Sequence, residues 1–247
     1  MTILNYYFKK YEKQIILKEI GFSGQKKIKN AKVLIVGMGG LGCPLLIYLA
    51  NIGIQNIGII DHDKIELTNL NRQILFSEQD IGKSKVIQAY KKIRQIDKKI
   101  KVKIFEKKLE KKNIKKIFKK FDIICDGTDN FETRLLINDY SKIMKKILIS
   151  GAINKFDGHL FKFDFRSKSP CFRCFMPEVP ISNNNCSEDG VSSPIAGIIG
   201  SLQANEVLKT ILDLKSNLSG KILVFNSLEN SMRRLKILKN PGCVNKC

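Results

Sequence analysis

The sequence predicts an α/β protein: a mostly parallel sheet with helices on both faces, extended by antiparallel strands in the last third of the chain. Three observations carry that expectation. Short Ile- and Val-rich runs alternate with helical patterns between residues 31 and 150, the order that builds a parallel sheet between layers of helix. A glycine-rich turn, VLIVGMGGLG, joins the first such run to the helix after it. Beyond Gly151 the period falls to two: in GHLFKFDFR, Phe161, Phe163 and Phe165 take one side and Lys162, Asp164 and Arg166 the other, a strand with one wet face.

In chain order, the first thirty residues give two short helices with Gly21 and Gly24 between them. Strands are expected at 33–36, 56–60, 101–105, 121–125 and 146–150, and helices near 41–52, 84–96, 110–120 and 131–144. Residues 177–190, PEVPISNNNCSEDG, hold two prolines and three consecutive asparagines, so they read as an exposed, mobile loop. A helix near 194–213 and strands at 221–225 and 233–238 follow. No internal repeat breaks the chain. Residues 1–247 are therefore read as one domain: N-terminal helices (1–30), βα units (31–150), and a sheet extension with loop and tail (151–247).

Composition removes several classes. With 43% apolar residues the chain can bury a sizeable core. The opening MTILNYYFKKYEKQ is too charged for a secretory signal, and seven cysteines without one point to the reducing cytoplasm, where clustered thiols suit metal or catalysis better than disulfides. Residues 33–60 lack charge over 28 positions, enough to span a bilayer. Six glycines, Pro44, Asn51, Gln55 and Asn56 interrupt that window, so it reads as a buried strand, turn, helix, turn and strand, with no membrane partner. The net charge is +21, but only seven of the 44 basic residues are arginine against 37 lysines spread along the chain. No arginine or aromatic cluster marks a groove, so we read solvated lysine faces and not a nucleic-acid partner.

Gly37, Gly39, Gly40 and Gly42 lie between strand and helix. Glycine allows a tight turn and lets backbone N–H groups approach a phosphate, to which the helix adds its positive end. Asp61 follows Gly37 by 24 residues at the end of the next strand, where a carboxylate can accept ribose hydroxyls. This is a Rossmann-like βαβ signature, and it fits either a nicotinamide dehydrogenase or an ATP-using enzyme. Asn69, Arg72, Gln73 and Lys85 come next, and two cations suit several phosphates and a charged phosphoryl transition state. Asp126 and Asp129 end the fourth strand; an aspartate there can hold Mg²⁺, or Asp129 can cap the next helix.

The motifs GMGGLG, NLNRQ, GKSK, TDN, CFRC, GSLQANEVLK and NPGC, in this order from about Gln14 to Cys247, resemble the bacterial ThiF/MoeB/HesA branch of the ubiquitin-activating enzyme superfamily. The resemblance implies adenylylation, with ATP and Mg²⁺, of the C-terminal glycine of a small ubiquitin-like sulfur-carrier protein ending in Gly-Gly, feeding thiamine or molybdopterin assembly. It also implies nucleotide contacts from Gly40, Asp61, Asn69, Arg72, Lys85, Asp129 and Asn130. That chemistry brings a carboxylate to a triphosphate, and Arg72, Lys85 and a metal near Asp129 would offset the repulsion. The rival expectations are a relative that adenylates a modified base in tRNA and a non-catalytic nucleotide-binding module.

Cys171 and Cys174, with Cys243 and Cys247, form two spaced pairs that suit tetrahedral Zn²⁺. A redox dithiol is the alternative for the first pair, but such motifs open a helix and this one leaves a strand through Pro170. The family's structural zinc supports the metal, although CVNKC has three residues between its cysteines where relatives have two. Cys186, alone in the predicted loop, matches the sulfur-transfer cysteine of some relatives; Glu188 and Asp189 beside it would raise its pKa. Cys43 and Cys125 lie in apolar runs and read as packing residues. His62 and His159 are isolated, with core or surface roles. Lys13 stands where relatives place an arginine that reaches the neighbouring subunit's nucleotide, so a homodimer is expected, with a cysteine desulfurase as sulfur donor.

Overall fold

In the computed structural model, which describes residues 3–177 and 190–247, α1 (Ile3–Lys10), α2 (Glu12–Ile15) and α3 (Gly21–Asn30) precede β1 (Lys32–Val36). The series continues through α4 (Gly42–Asn51), β2 (Asn56–Asp61), α5 (Lys85–Ile96) and β3 (Lys101–Glu106) to α6 (Lys111–Phe118), β4 (Ile123–Asp126), α7 (Phe131–Ile143) and β5 (Ile147–Asn154). Then come β6 (Asp157–Asp164), the one-turn α8 (Phe172–Phe175), α9 (Ser193–Ile211), β7 (Lys221–Asn226) and β8 (Ser231–Lys236). The described strands form one eight-stranded sheet ordered β3-β2-β1-β4-β5-β6-β7-β8. Pairing is parallel from β3 to β5 and antiparallel from β5 to β8.

β1 explains why both faces are covered. Val33 and Ile35 enter one apolar cluster with Leu45, Leu46 and Leu49 of α4 and Val86, Ala89 and Ile93 of α5. Leu34 and Val36 enter another with Ile114, Ile117 and Phe118 of α6 and Leu135 and Ile137 of α7. Successive strand residues point to opposite faces, so a strand buried on both sides must be apolar throughout. Each fully buried Val, Leu or Ile contributes about 1.5–3 kcal/mol. The uncharged window is thus β1, α4 and β2, and no helix among the described residues is long and apolar enough to cross a membrane.

The structure corrects two expectations. Gly21 and Gly24 do not separate helices; they lie in the first turn of α3. Burial outweighs their poor propensity: Gln25 and Ile28 are fully buried there, and the Gln25 amide donates to Tyr7 Oη and to the Ile52 carbonyl at 3.1 and 3.0 Å, docking α3 beneath α4. Nor does β6 keep a wet face. Lys162 is 2% exposed, with its Nζ 3.8 Å from Glu206 of α9, which packs across β5 and β6. Glu206 also accepts the Leu218 N–H at 2.7 Å and pairs with Lys209 at 2.7 Å. Burial lowers the Lys162 pKa against the pull of Glu206. Only Arg166, paired with Asp164 at 2.7 Å, stays exposed on that side.

Candidate functional site

The parallel strands end together at a cleft of about 230 Å³, lined by the glycine turn, Asp61, Arg72, Lys85 and the 127–130 loop. β1 delivers the chain to Gly37, whose N–H bonds the Ile60 carbonyl at 2.9 Å and whose φ is +90°. Gly37, Gly39 and Gly40 line the cleft, but Gly42 does not. A Cβ on Gly42 would lie 2.1 Å from the Gly37 carbonyl oxygen, so glycine there closes the turn onto α4. Asp61 fixes the turn from β2: its carboxylate accepts the Met38 N–H at 2.7 Å and the Asp63 N–H at 2.8 Å. Each oxygen retains a lone pair for a ligand.

The cations arrive from the segment after β2. Arg72 donates to the Thr68 carbonyl at 2.8 Å and to Asn71 at 3.1 Å, all within one turn of chain. Lys85 opens α5, buried, with Nζ 2.8 Å from Asp63. Gln73 also lines the cleft; it is buried, and its Oε1 has no hydrogen-bond partner among the described residues. A buried acceptor left unpaired costs about 1–3 kcal/mol, so this atom suits a donor brought by a ligand. Asn69 lies outside the lining. Its side chain caps the turn it ends, accepting the Glu66 N–H at 3.4 Å.

At the end of β4 the two aspartates separate. Asp129 is exposed on the cleft. Asp126 is fully buried and faces inward: it accepts Thr128 N–H and Oγ1–H at 2.9 and 2.6 Å, and Ser150 Oγ–H at 2.6 Å. The helix cap belongs to Asn130, which accepts the Thr133 N–H at 2.9 Å, and not to Asp129. Beneath the loop lies Arg134, 5% exposed. It donates to Ser150 Oγ at 3.1 Å and to the Thr128 and Gly151 carbonyls at 2.7 and 2.8 Å, with Asp126 3.6 Å away. The sequence reading passed over Arg134 and Ser150; an arginine heading the apolar run RLLI was the available signal.

Elsewhere, Cys171, Cys174, Cys243 and Cys247 bring four sulfurs within 4.8 Å of one another. Cys171 and Cys243 are 3.7 Å apart, and Cys243 and Cys247 3.9 Å. Four sulfurs about 2.3 Å from a tetrahedral zinc stand about 3.8 Å apart, whereas a disulfide requires about 2.05 Å. The donor set and spacing fit zinc. The first pair does open the helical turn α8, so leaving a strand is no argument against a dithiol; the convergence of the second pair is. Lys142 Nζ lies 2.9 Å from the Cys247 sulfur, and Asp139 joins Arg173 and Asn245 at 2.8 Å each, tying the tail to α7.

Lys13 is exposed on α2, away from the cleft lining. Cys186 falls outside the described residues. Cys43 and Cys125 are fully buried; burial pushes the Cys43 thiol up to about 12 and raises that of Cys125, leaving both inert. His159 is largely buried, which lowers its pKa, while His62 sits at the cleft edge between Asp61 and Asp63.

Known proteins resemble this chain in sequence and in fold. The chain is 43% identical over 238 residues to "Adenylyltransferase and sulfurtransferase MOCS3" of Culex quinquefasciatus, covering 95% of this chain and 54% of that protein. It is 36% identical over 240 residues to "Sulfur carrier protein adenylyltransferase" of Thermus thermophilus, covering 95% and 89%. The fold is similar to that of E. coli MccB, solved with ATP, at a TM-score of 0.78 and 27% identity over 89% of this chain and 68% of that one. The chain spans about half the length of the MOCS3 relatives it matches. The ThiF family model matches residues 11–245, and the chain belongs to that family.

Proposed function

We propose that residues 1–247 form one domain, an ATP-dependent adenylyltransferase that activates the C-terminal glycine of a ubiquitin-like sulfur carrier. The observation that carries this reading is the convergence of Arg72 and Lys85, from the segment after β2, with Asp129, from the end of β4, on the glycine-turn cleft. The names of the relatives point the same way. Gly37, Gly39 and Gly40 with the start of α4 receive phosphates, Asp61 accepts the ribose hydroxyls, and the unpaired Gln73 oxygen takes a donor. Asn69 acts through the turn that presents Arg72, and Gly42 through the turn it closes.

The carrier carboxylate attacks the α-phosphorus, the bond to the bridging oxygen breaks, and pyrophosphate leaves with that electron pair. Arg72 and Lys85 hold positive charge where negative charge gathers. Asp129 and Asn130 would hold Mg²⁺ at the cleft, and the ion would supply positive charge to offset the negative charge of the phosphates. A persulfide supplied by a donor such as a cysteine desulfurase, with Cys186 as the chain's candidate relay, then attacks the acyl carbon. The acyl–phosphate bond breaks, AMP leaves with its electron pair, and a second thiol cleaves the resulting acyl disulfide to the thiocarboxylate used in molybdopterin or thiamine assembly. A homodimer would bring the exposed Lys13 to its partner's nucleotide. Incubation with ATP and a Gly-Gly carrier, followed by mass spectrometry, is expected to show one AMP on the carrier for each pyrophosphate released. An unmodified carrier overturns the reading.

Zinc held by Cys171, Cys174, Cys243 and Cys247 would close a long loop and pin the tail. A cross-link of that kind contributes about 3 kcal/mol, and for a chain of this size about 6–12 °C in melting temperature. Cys174→Ser should lose the metal and melt lower by that amount, as measured by elemental analysis and thermal denaturation. Metal-free protein with the wild-type melting temperature would rule the site out.

A further inference from the structure

Residues 98–120 carry twelve lysines against two glutamates, and so hold ten of the chain's net +21 charges. The fold turns these lysines outward together. β3 is the last strand at its end of the sheet, and α6 buries Ile114, Ile117 and Phe118 in the core, leaving Lys111, Lys112, Lys115 and Lys116 exposed along its outer face. Lys107 and Lys108, in the connection between β3 and α6, line the mouth of the cleft. One lysine face therefore runs from solvent to the site. Among these residues Lys112 meets Glu110 at 3.0 Å.

Lys111 and Lys112 occupy the first turn of α6, the positive end of the helix, where a cation is disfavoured. The face thus concentrates positive potential beside the cleft at a local cost to the helix. It contains no arginine. Its two aromatic residues are Phe118, buried, and Phe105, half-buried with Lys120 Nζ 5.5 Å above its ring. A single-stranded nucleic acid would look for exposed rings to stack on, and a planar two-pronged phosphate grip requires arginine. Spread point charges instead steer and orient a protein of opposite charge.

We propose that the β3–α6 lysine face docks an acidic face of the carrier whose carboxyl terminus enters the cleft. This rests on the carrier reading above and adds the carrier's charge and its side of approach. Docking there shortens the search for the cleft without taking part in the chemistry, so its signature is in carrier affinity and salt dependence.

The test uses the full chain and a ubiquitin-like carrier ending in Gly-Gly, both as the acidic protein and with its acidic face neutralised. The quadruple variant Lys111→Glu, Lys112→Glu, Lys115→Glu, Lys116→Glu is expected to raise the carrier KM about tenfold at low salt, with kcat and the ATP KM unchanged. Rising salt should raise the wild-type carrier KM and leave that of the variant nearly flat. Four Lys→Gln changes should fall between, and circular dichroism confirms that each variant is folded. A carrier KM indifferent to charge reversal and to salt overturns the docking face while leaving the activity standing. Salt-sensitive carrier binding in fluorescence anisotropy, with no adenylate formed, overturns the activity and keeps the face. Tight binding of transfer RNA, lost in the same variant while carrier binding persists, assigns the face to nucleic acid and overturns the proposal.

Discussion

Arg72→Ala is expected to lower carrier-dependent pyrophosphate release about 10²–10³-fold, the loss that follows removal of one preorganised charge aimed at a transition state. The fold should survive. Arg72 is half-buried, and among the described residues its guanidinium bonds only Thr68 and Asn71 within its own turn, so truncation strands no distant partner among them. Its melting temperature should stay within about 2 °C of wild type, as for surface changes of small energetic effect. Lys85 differs: its ammonium is buried against Asp63 at 2.8 Å, so Lys85→Met would lose activity and leave a carboxylate unpaired. Arg72→Lys keeps the charge and loses the planar fork, and should fall between wild type and alanine. Pyrophosphate release at the wild-type rate by Arg72→Ala would remove the cation from the mechanism.

What could be read in the sequence follows from which forces are local. The glycine turn was legible because strand, glycines, helix and Asp61 all lie within one βαβ unit, where backbone geometry dictates residue type. Which glycines face the cleft was not, since Gly42 is fixed by a contact with the Gly37 carbonyl that spacing does not reveal. The four cysteines could be paired off because thiolates in two spaced pairs have few other uses. Lys162 was misread for a long-range reason. Alternation gives two faces but not which one is covered, and the cover is α9, some forty residues later, bringing Glu206. Arg134 escaped for the same reason: its partners, Thr128 just past β4 and Ser150 and Gly151 in the middle of β5, become neighbours only in the folded sheet.

That buried arginine carries the second large effect. Arg134→Met removes the cation paired with a fully buried Asp126 and strips donors from Ser150 and two carbonyls. Breaking a buried charge pair from one side costs about 3–5 kcal/mol, or about 6–20 °C of melting temperature at this chain length. The loss should not be uniform. Thr128 belongs to the loop carrying Asp129 and Asn130, so adenylylation should weaken at temperatures where the variant is still folded, and the Mg²⁺ concentration for half-maximal rate should rise. Arg134→Lys keeps the charge but cannot reach three acceptors at once, and should recover stability more than Mg²⁺ response. Adding Asp126→Asn to Arg134→Met removes the orphaned charge, so the double variant should melt above Arg134→Met alone; the two residues are in one network and their effects do not add. If Arg134→Met melted within 1 °C of wild type, on the order of the spread of neutral changes, the guanidinium would not be what holds the 127–130 loop at the cleft.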